Sequence, residues 1–146
     1  MVSEGAPAPD FELTAESGER VKLSDFRGRP VVLYFYPKDD TPGCTTQARG
    51  IRDAYDAFRA RGAEVIGISV DDEASHASFR SKHRLPFTLL ADPGHVAGEM
   101  YGVTQQDKPY YERSTFVIDP DGKVAKIMRR VDPETHADRV LAALPD

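Results

Sequence analysis

The run "RPVVLYFYP", residues 29–37, restricts the possible folds of this chain more than any other stretch. Val31 to Tyr36 are all apolar or aromatic, with no polar residue on alternate positions, so both faces of the strand they form must be covered. Such strands belong in parallel sheets flanked by helices. Two further runs have the same character: "AEVIGISVD" at 63–71 and the shorter "FTLLAD" at 87–92. "STFVIDPDGKVAKIMR" at 114–129 reads as two strands joined by an Asp-Pro-Asp-Gly turn, with Gly122 supplying the positive φ of a tight hairpin.

Helical patterns fill the intervals. Ala48, Ile51, Tyr55 and Phe58, spaced by three and four, predict one helix over 43–61 with a single apolar stripe. A more polar helix is expected at 72–83 and a short one at 94–100. Asp132 and Pro133 supply an N-cap and a first-turn proline for a last helix, 133–144, with Val140, Leu141 and Leu144 inward. Residues 1–30 read as a small hairpin and a turn. The sum is an α/β sandwich with a central mixed sheet flanked by helices. At 146 residues, without a repeat or linker, the chain has the length of a single domain spanning 1–146.

Charge and composition narrow the function. The net charge of −5, with Lys and Arg scattered among acids, argues against nucleic acid as a partner. No stretch approaches the ~20 apolar residues of a membrane span, and the start "MVSEGAPAPDFEL" lacks the features of a secretory signal. One cysteine allows no internal disulfide. Together these lead us to expect a cytoplasmic protein.

That cysteine, Cys44, follows Thr41-Pro42-Gly43. Proline favours the first helical position, so Thr41 is the expected N-cap and Cys44 lies in the first turn. The positive end of the helix dipole favours an anion there, which makes a preformed thiolate plausible chemistry. Cys44 also heads the 48, 51, 55, 58 stripe and so points inward, toward Pro37 and the end of the preceding strand. The same position suits a buried cysteine that merely packs. Helix position leaves both readings open.

Pro37, Thr41 and Cys44 fit the Pro-x-x-x-Thr-x-x-Cys signature of peroxiredoxins, and "YFYPKDDTPGCTTQ" resembles the bacterioferritin-comigratory, or PrxQ, branch. The resemblance extends through "APDFEL", "FRGRPVVLYFYP", "VIGISVD", "FTLLAD" and "RSTFVIDPDGKV", almost the whole chain. It implies a thioredoxin-like fold, no cofactor, and thiol-dependent reduction of hydrogen peroxide and organic hydroperoxides. It also implies that Cys44 is the peroxidatic nucleophile, that Thr41 hydrogen-bonds the peroxide, and that Pro37 shields the sulfur. The family's strand-edge arginine corresponds to Arg113. Gln47 and Gly43 are further candidates for lining the pocket.

The chain departs from that family in one respect. Where many relatives carry a resolving cysteine five residues after the first, this chain has Arg49; in the alternative region it has Arg80 and Ser81. The expected partner is therefore an external thiol: a low-molecular-weight thiol, a thioredoxin-like or glutaredoxin-like protein, or a second Cys44. The expected state is a monomer or weak homodimer. A disulfide oxidoreductase would need Cys-x-x-Cys, whereas Cys44 precedes Thr-Thr-Gln. His76, His83, His95 and His136 show no metal-ligand spacing and read as isolated surface histidines, so no metal is expected. The alternative function is a non-catalytic peroxide sensor or redox interaction module using the same cysteine.

Overall fold

The computed structural model describes residues 2–144. Among these residues seven strands form one sheet: β1 (Glu12–Ala15), β2 (Arg20–Lys22), β3 (Val31–Phe35), β4 (Glu64–Ser69), β5 (Thr88–Ala91), β6 (Ser114–Ile118) and β7 (Val124–Met128). Their order across the sheet is β2-β1-β5-β4-β3-β6-β7. β3, β4 and β5 are parallel, and the strands outside them pair antiparallel, so the sheet is mixed as expected. All five residues of β3 are buried, which is what its unbroken apolar run requires.

Alternation along β3 separates two cores. Val31, Leu33 and Phe35 face one layer with Tyr101, Tyr111 and Phe116; Val32, Tyr34 and Tyr36 face the other with Cys44, Ile51, Phe58, Phe79 and Val140. Gly67 sits opposite Tyr34 in the β3–β4 register, and a Cβ there would lie 2.9 Å from the Tyr34 ring. The missing side chain makes room for the phenol. The β6–β7 hairpin turns at Gly122, with φ +85°, and carries a register shift between Val117 and Ile118.

The helices are α1 (Pro42–Asp53), α2 (Tyr55–Ala60), α3 (Glu73–His83), α4 (Val96–Met100) and α5 (His136–Ala143). Two expectations need correction. The stripe over 43–61 is carried by two helices, because Ala54 leaves the helical region at φ −97°, ψ 6°, a break that no glycine or proline announces. The last helix begins at His136, three residues later than expected. Asp132 does not cap it; its side chain and carbonyl accept from the N–H groups of Glu134 and Thr135 and close a separate turn around Pro133. The N-terminal hairpin is β1–β2, and a short 3-10 helix at Leu23–Phe26 provides the turn after it.

Candidate active site

Thr41 is the N-cap of α1, with Pro42, Gly43 and Cys44 as the first three helical residues. Its capping is by backbone alone: φ −86° and ψ 155° set the entry, while the hydroxyl donates to the Lys38 carbonyl at 2.8 Å. Cys44 points inward and is 1% exposed. It packs in the same buried cluster as Val32, Tyr34 and Tyr36, and one long polar side chain reaches its sulfur.

That side chain is Arg113. It comes from the residue before β6, next to β3 in the sheet, and its Nη1 donates to Cys44 Sγ at 3.4 Å and to Gln47 Oε1 at 2.6 Å. A guanidinium there is a fixed positive charge with donors aimed at the sulfur. The neighbouring acid does not compete for it. Glu112 accepts from Ser114, Arg129 and Arg130, and although burial opposes its charge, those bonds hold its carboxyl below the usual range. Gly43 gives Arg113 its path, since a Cβ there would lie 2.9 Å from Nη2. Pro37 and Arg113 line one open groove of about 460 Å³, together with Lys108, Tyr110 and Arg130.

The structure thus brings Cys44, Gln47, Gly43 and Arg113 into contact distance and sets Pro37 and Thr41 at the mouth and the cap of the same loop and helix. Arg49 is exposed, on the face away from Cys44. The histidines depart from expectation. His76 and His136 are not surface residues but fully buried, because each lies on the inner stripe of its helix with hydrogen-bond partners waiting on the sheet.

His136 belongs to the site. Its Nδ1 is 3.3 Å from Gln47 Nε2 and its Nε2 is 2.6 Å from Thr115 Oγ1. Burial, followed by the charges of Arg113 and Arg139, lowers its pKa from 6.5 to about 4. Neither His136 nor Thr115 was anticipated, although one signal was available: His136, Val140 and Leu144 are spaced four apart on one helical face.

His76 holds the loop before α1. Its Nδ1 lies 2.7 Å from Asp39 Oδ2 and its Nε2 2.9 Å from the Leu90 carbonyl, two acceptors that require both ring nitrogens protonated. Burial alone would lower its pKa, but the bond and charge of Asp39 outweigh burial and raise it. Asp39 also accepts from Tyr36 and Ser75. Asp39, Asp71 and His76 offer ligand-type atoms within 4.8 Å of one another, yet each of these groups is already hydrogen-bonded within the protein.

Comparison with known proteins adds a family to this geometry. The AhpC/TSA family matches residues 5–127. The chain belongs to that family, among the Bcp/PrxQ peroxiredoxins. Peroxiredoxin Bcp of Bacillus subtilis (strain 168) is 45% identical to this peroxiredoxin over 148 residues, covering 97% of this chain and 94% of the relative. The crystal structure of peroxidoxin BcpB from Mycobacterium tuberculosis superimposes with a TM-score of 0.91 at 34% identity, over 98% of this chain and 96% of that one. Xanthomonas campestris peroxiredoxin Q, solved with either of two cysteines replaced by serine, has a TM-score of 0.87 at 34–35% identity over 91% of this chain and 88% of that one. The thioredoxin-like fold is therefore that of peroxiredoxins. As a peroxiredoxin the protein is a thiol-dependent peroxidase, whose substrates are peroxides and whose electrons come from a thiol.

Proposed function

We propose that this peroxiredoxin works with one cysteine, as a single-domain cytoplasmic enzyme, monomeric or weakly dimeric, that reduces hydrogen peroxide and organic hydroperoxides. The Cys44 thiolate attacks the nearer peroxide oxygen. An S–O bond forms, the O–O bond breaks, sulfur loses two electrons, and the leaving alkoxide or hydroxide takes up a proton as alcohol or water. Cys44 is left as a sulfenic acid. Arg113 stabilises the thiolate and the charge that develops on the leaving oxygen. Thr41, whose proton is engaged by Lys38, offers its hydroxyl oxygen as an acceptor that orients the peroxide O–H. Pro37 borders the groove and limits water around the sulfur.

The second half needs two equivalents of an external thiol. The first forms a mixed disulfide with Cys44 and releases water; the second displaces Cys44 as thiol and leaves with the first as a disulfide. A low-molecular-weight thiol reaches a sulfur that is 1% exposed with the least rearrangement. Thioredoxin-like and glutaredoxin-like proteins are the other donors to test. The observation that carries this reading is the Arg113 guanidinium on the sulfur of a helix-start cysteine in a chain with no second thiol.

The test follows peroxide loss and Cys44 mass under stoichiometric and then excess peroxide, with each class of thiol in turn. Sustained turnover with at least one thiol is expected, and Cys44→Ser abolishes it. Arg113→Lys slows Cys44 oxidation about 100-fold, the usual scale for losing a donor that stabilises developing charge. Consumption that stops at one equivalent with every thiol would favour the sensor role, and an unchanged rate in Cys44→Ser would remove the site.

A further inference from the structure

The orientation of the Gln47 amide is decided by its neighbours. Arg113 can only donate, and its Nη1 is 2.6 Å from the Gln47 amide oxygen. An amide turned the other way would set two donors against each other. Oε1 therefore faces Arg113, which leaves Nε2 facing His136 Nδ1 at 3.3 Å. Nδ1 must then accept. The ring proton resides on Nε2 and is donated to Thr115 Oγ1 at 2.6 Å. Three bonds thus run in one direction, Arg113 to Gln47, Gln47 to His136, and His136 to Thr115.

We propose that His136 is a positioning residue: its unprotonated Nδ1 holds the Gln47 amide in the one orientation that offers an oxygen to Arg113, and so keeps the guanidinium on the Cys44 sulfur. Gln47 and His136 are each 1% exposed, so water does not readily replace either partner. The ring is held by three elements. Tyr34 of β3 packs on it with centroids 5.6 Å apart, α1 supplies Gln47, and β6 supplies Thr115. The charges that act on it are Arg113 and Arg139, both positive. They and burial oppose an imidazolium, whose Nδ1–H would point at the Gln47 NH2, turn the amide, and break its bond to Arg113. The consequence is polarity control at a distance.

This inference rests on the role given to Arg113 above, and its test separates the two. In ¹⁵N-resolved spectra of the reduced wild-type protein at pH 7, His136 is expected neutral with its proton on Nε2. An imidazolium, or the tautomer protonated at Nδ1, overturns the proposal whatever the kinetics. His136→Phe is expected to slow Cys44 oxidation by hydrogen peroxide about 10- to 100-fold, the scale of a slight misplacement of a reacting group. His136→Asn, which can return an acceptor near the Nδ1 position, should recover to within about threefold of wild type. In the Gln47→Met background, His136→Phe should cost nothing more. A folded His136→Phe with the wild-type rate, or equal losses in Phe and Asn variants, would leave only a packing role. Failure of the wild type itself to consume peroxide through Cys44 would count against the proposed function, while the tautomer would still be readable.

Discussion

Gly43 bears no side chain at the second position of α1, and the path of Arg113 depends on that. A methyl group there would meet the tip of a flexible guanidinium rather than backbone, so the helix survives and the arginine moves. Gly43→Ala is expected to keep or slightly raise thermal stability, since alanine is the better helix former by up to about 1 kcal/mol, while slowing Cys44 oxidation about tenfold. Melting and stopped-flow measurements on one sample check both. At this scale, the cap at Thr41 and the first-turn place of Cys44 were legible because both lie within one helical turn, where local geometry fixes their relation, while the parts given to Pro37 and Thr41 in the site came from resemblance. Gln47 follows from one turn of helix. Arg113 was placed by resemblance; its contact with the sulfur requires β6 to lie beside β3, which no local pattern specifies. His136 and Thr115 stayed hidden because their bonds join residues 89 and 21 positions apart.

Among the elements, α3 does more than cover the sheet. It anchors the loop that leads into α1, through His76 and Ser75 on Asp39 and through Lys82 and His83 on Asp40. Asp40 is held at φ +59°, a left-handed conformation that aspartate tolerates and that turns the chain into the helix start. Exchanging the Asp39 carboxylate for an amide leaves a buried imidazolium without its counter-charge and sets an NH2 donor where an oxygen now accepts from Tyr36, Ser75 or His76. Asp39→Asn is therefore expected to cost about 3 kcal/mol, the range for breaking a buried pair from one side, as read by urea unfolding at pH 7. An unchanged midpoint would mean that the loop is held elsewhere. The helix boundaries show how propensity yields to tertiary context. The break at Ala54 and the delayed start at His136 are invisible to apolar periodicity, because Ile51 and Phe58 on either side of the break still share one buried face.

For the whole molecule, the two buried histidines act on stability with opposite signs. The folded state holds His136 at about 4 against an ordinary 6.5, so the unfolded chain binds more protons between those values. Stability falls as pH drops through that window, by about 3 kcal/mol in all. The pKa of His76 is raised, so its contribution is full below 6.5 and is lost as pH rises through the folded value. Urea midpoints measured from acid to mildly alkaline pH should therefore pass through a maximum. His136→Phe should flatten the acid side and leave the alkaline side in place; equal slopes in both proteins would refute the assignment. The sequence by itself determined the α/β class, the covered central strand, the helix that starts at Thr41-Pro42 and the absence of a second thiol, because these rest on composition and on contacts within a turn or two. Only the tertiary structure decided which distant groups surround the sulfur. The sheet order sets β6 against β3, and the packing of α1 against α5 brings Gln47 to His136, so the polarity of the site is a property of packed elements rather than of any one segment.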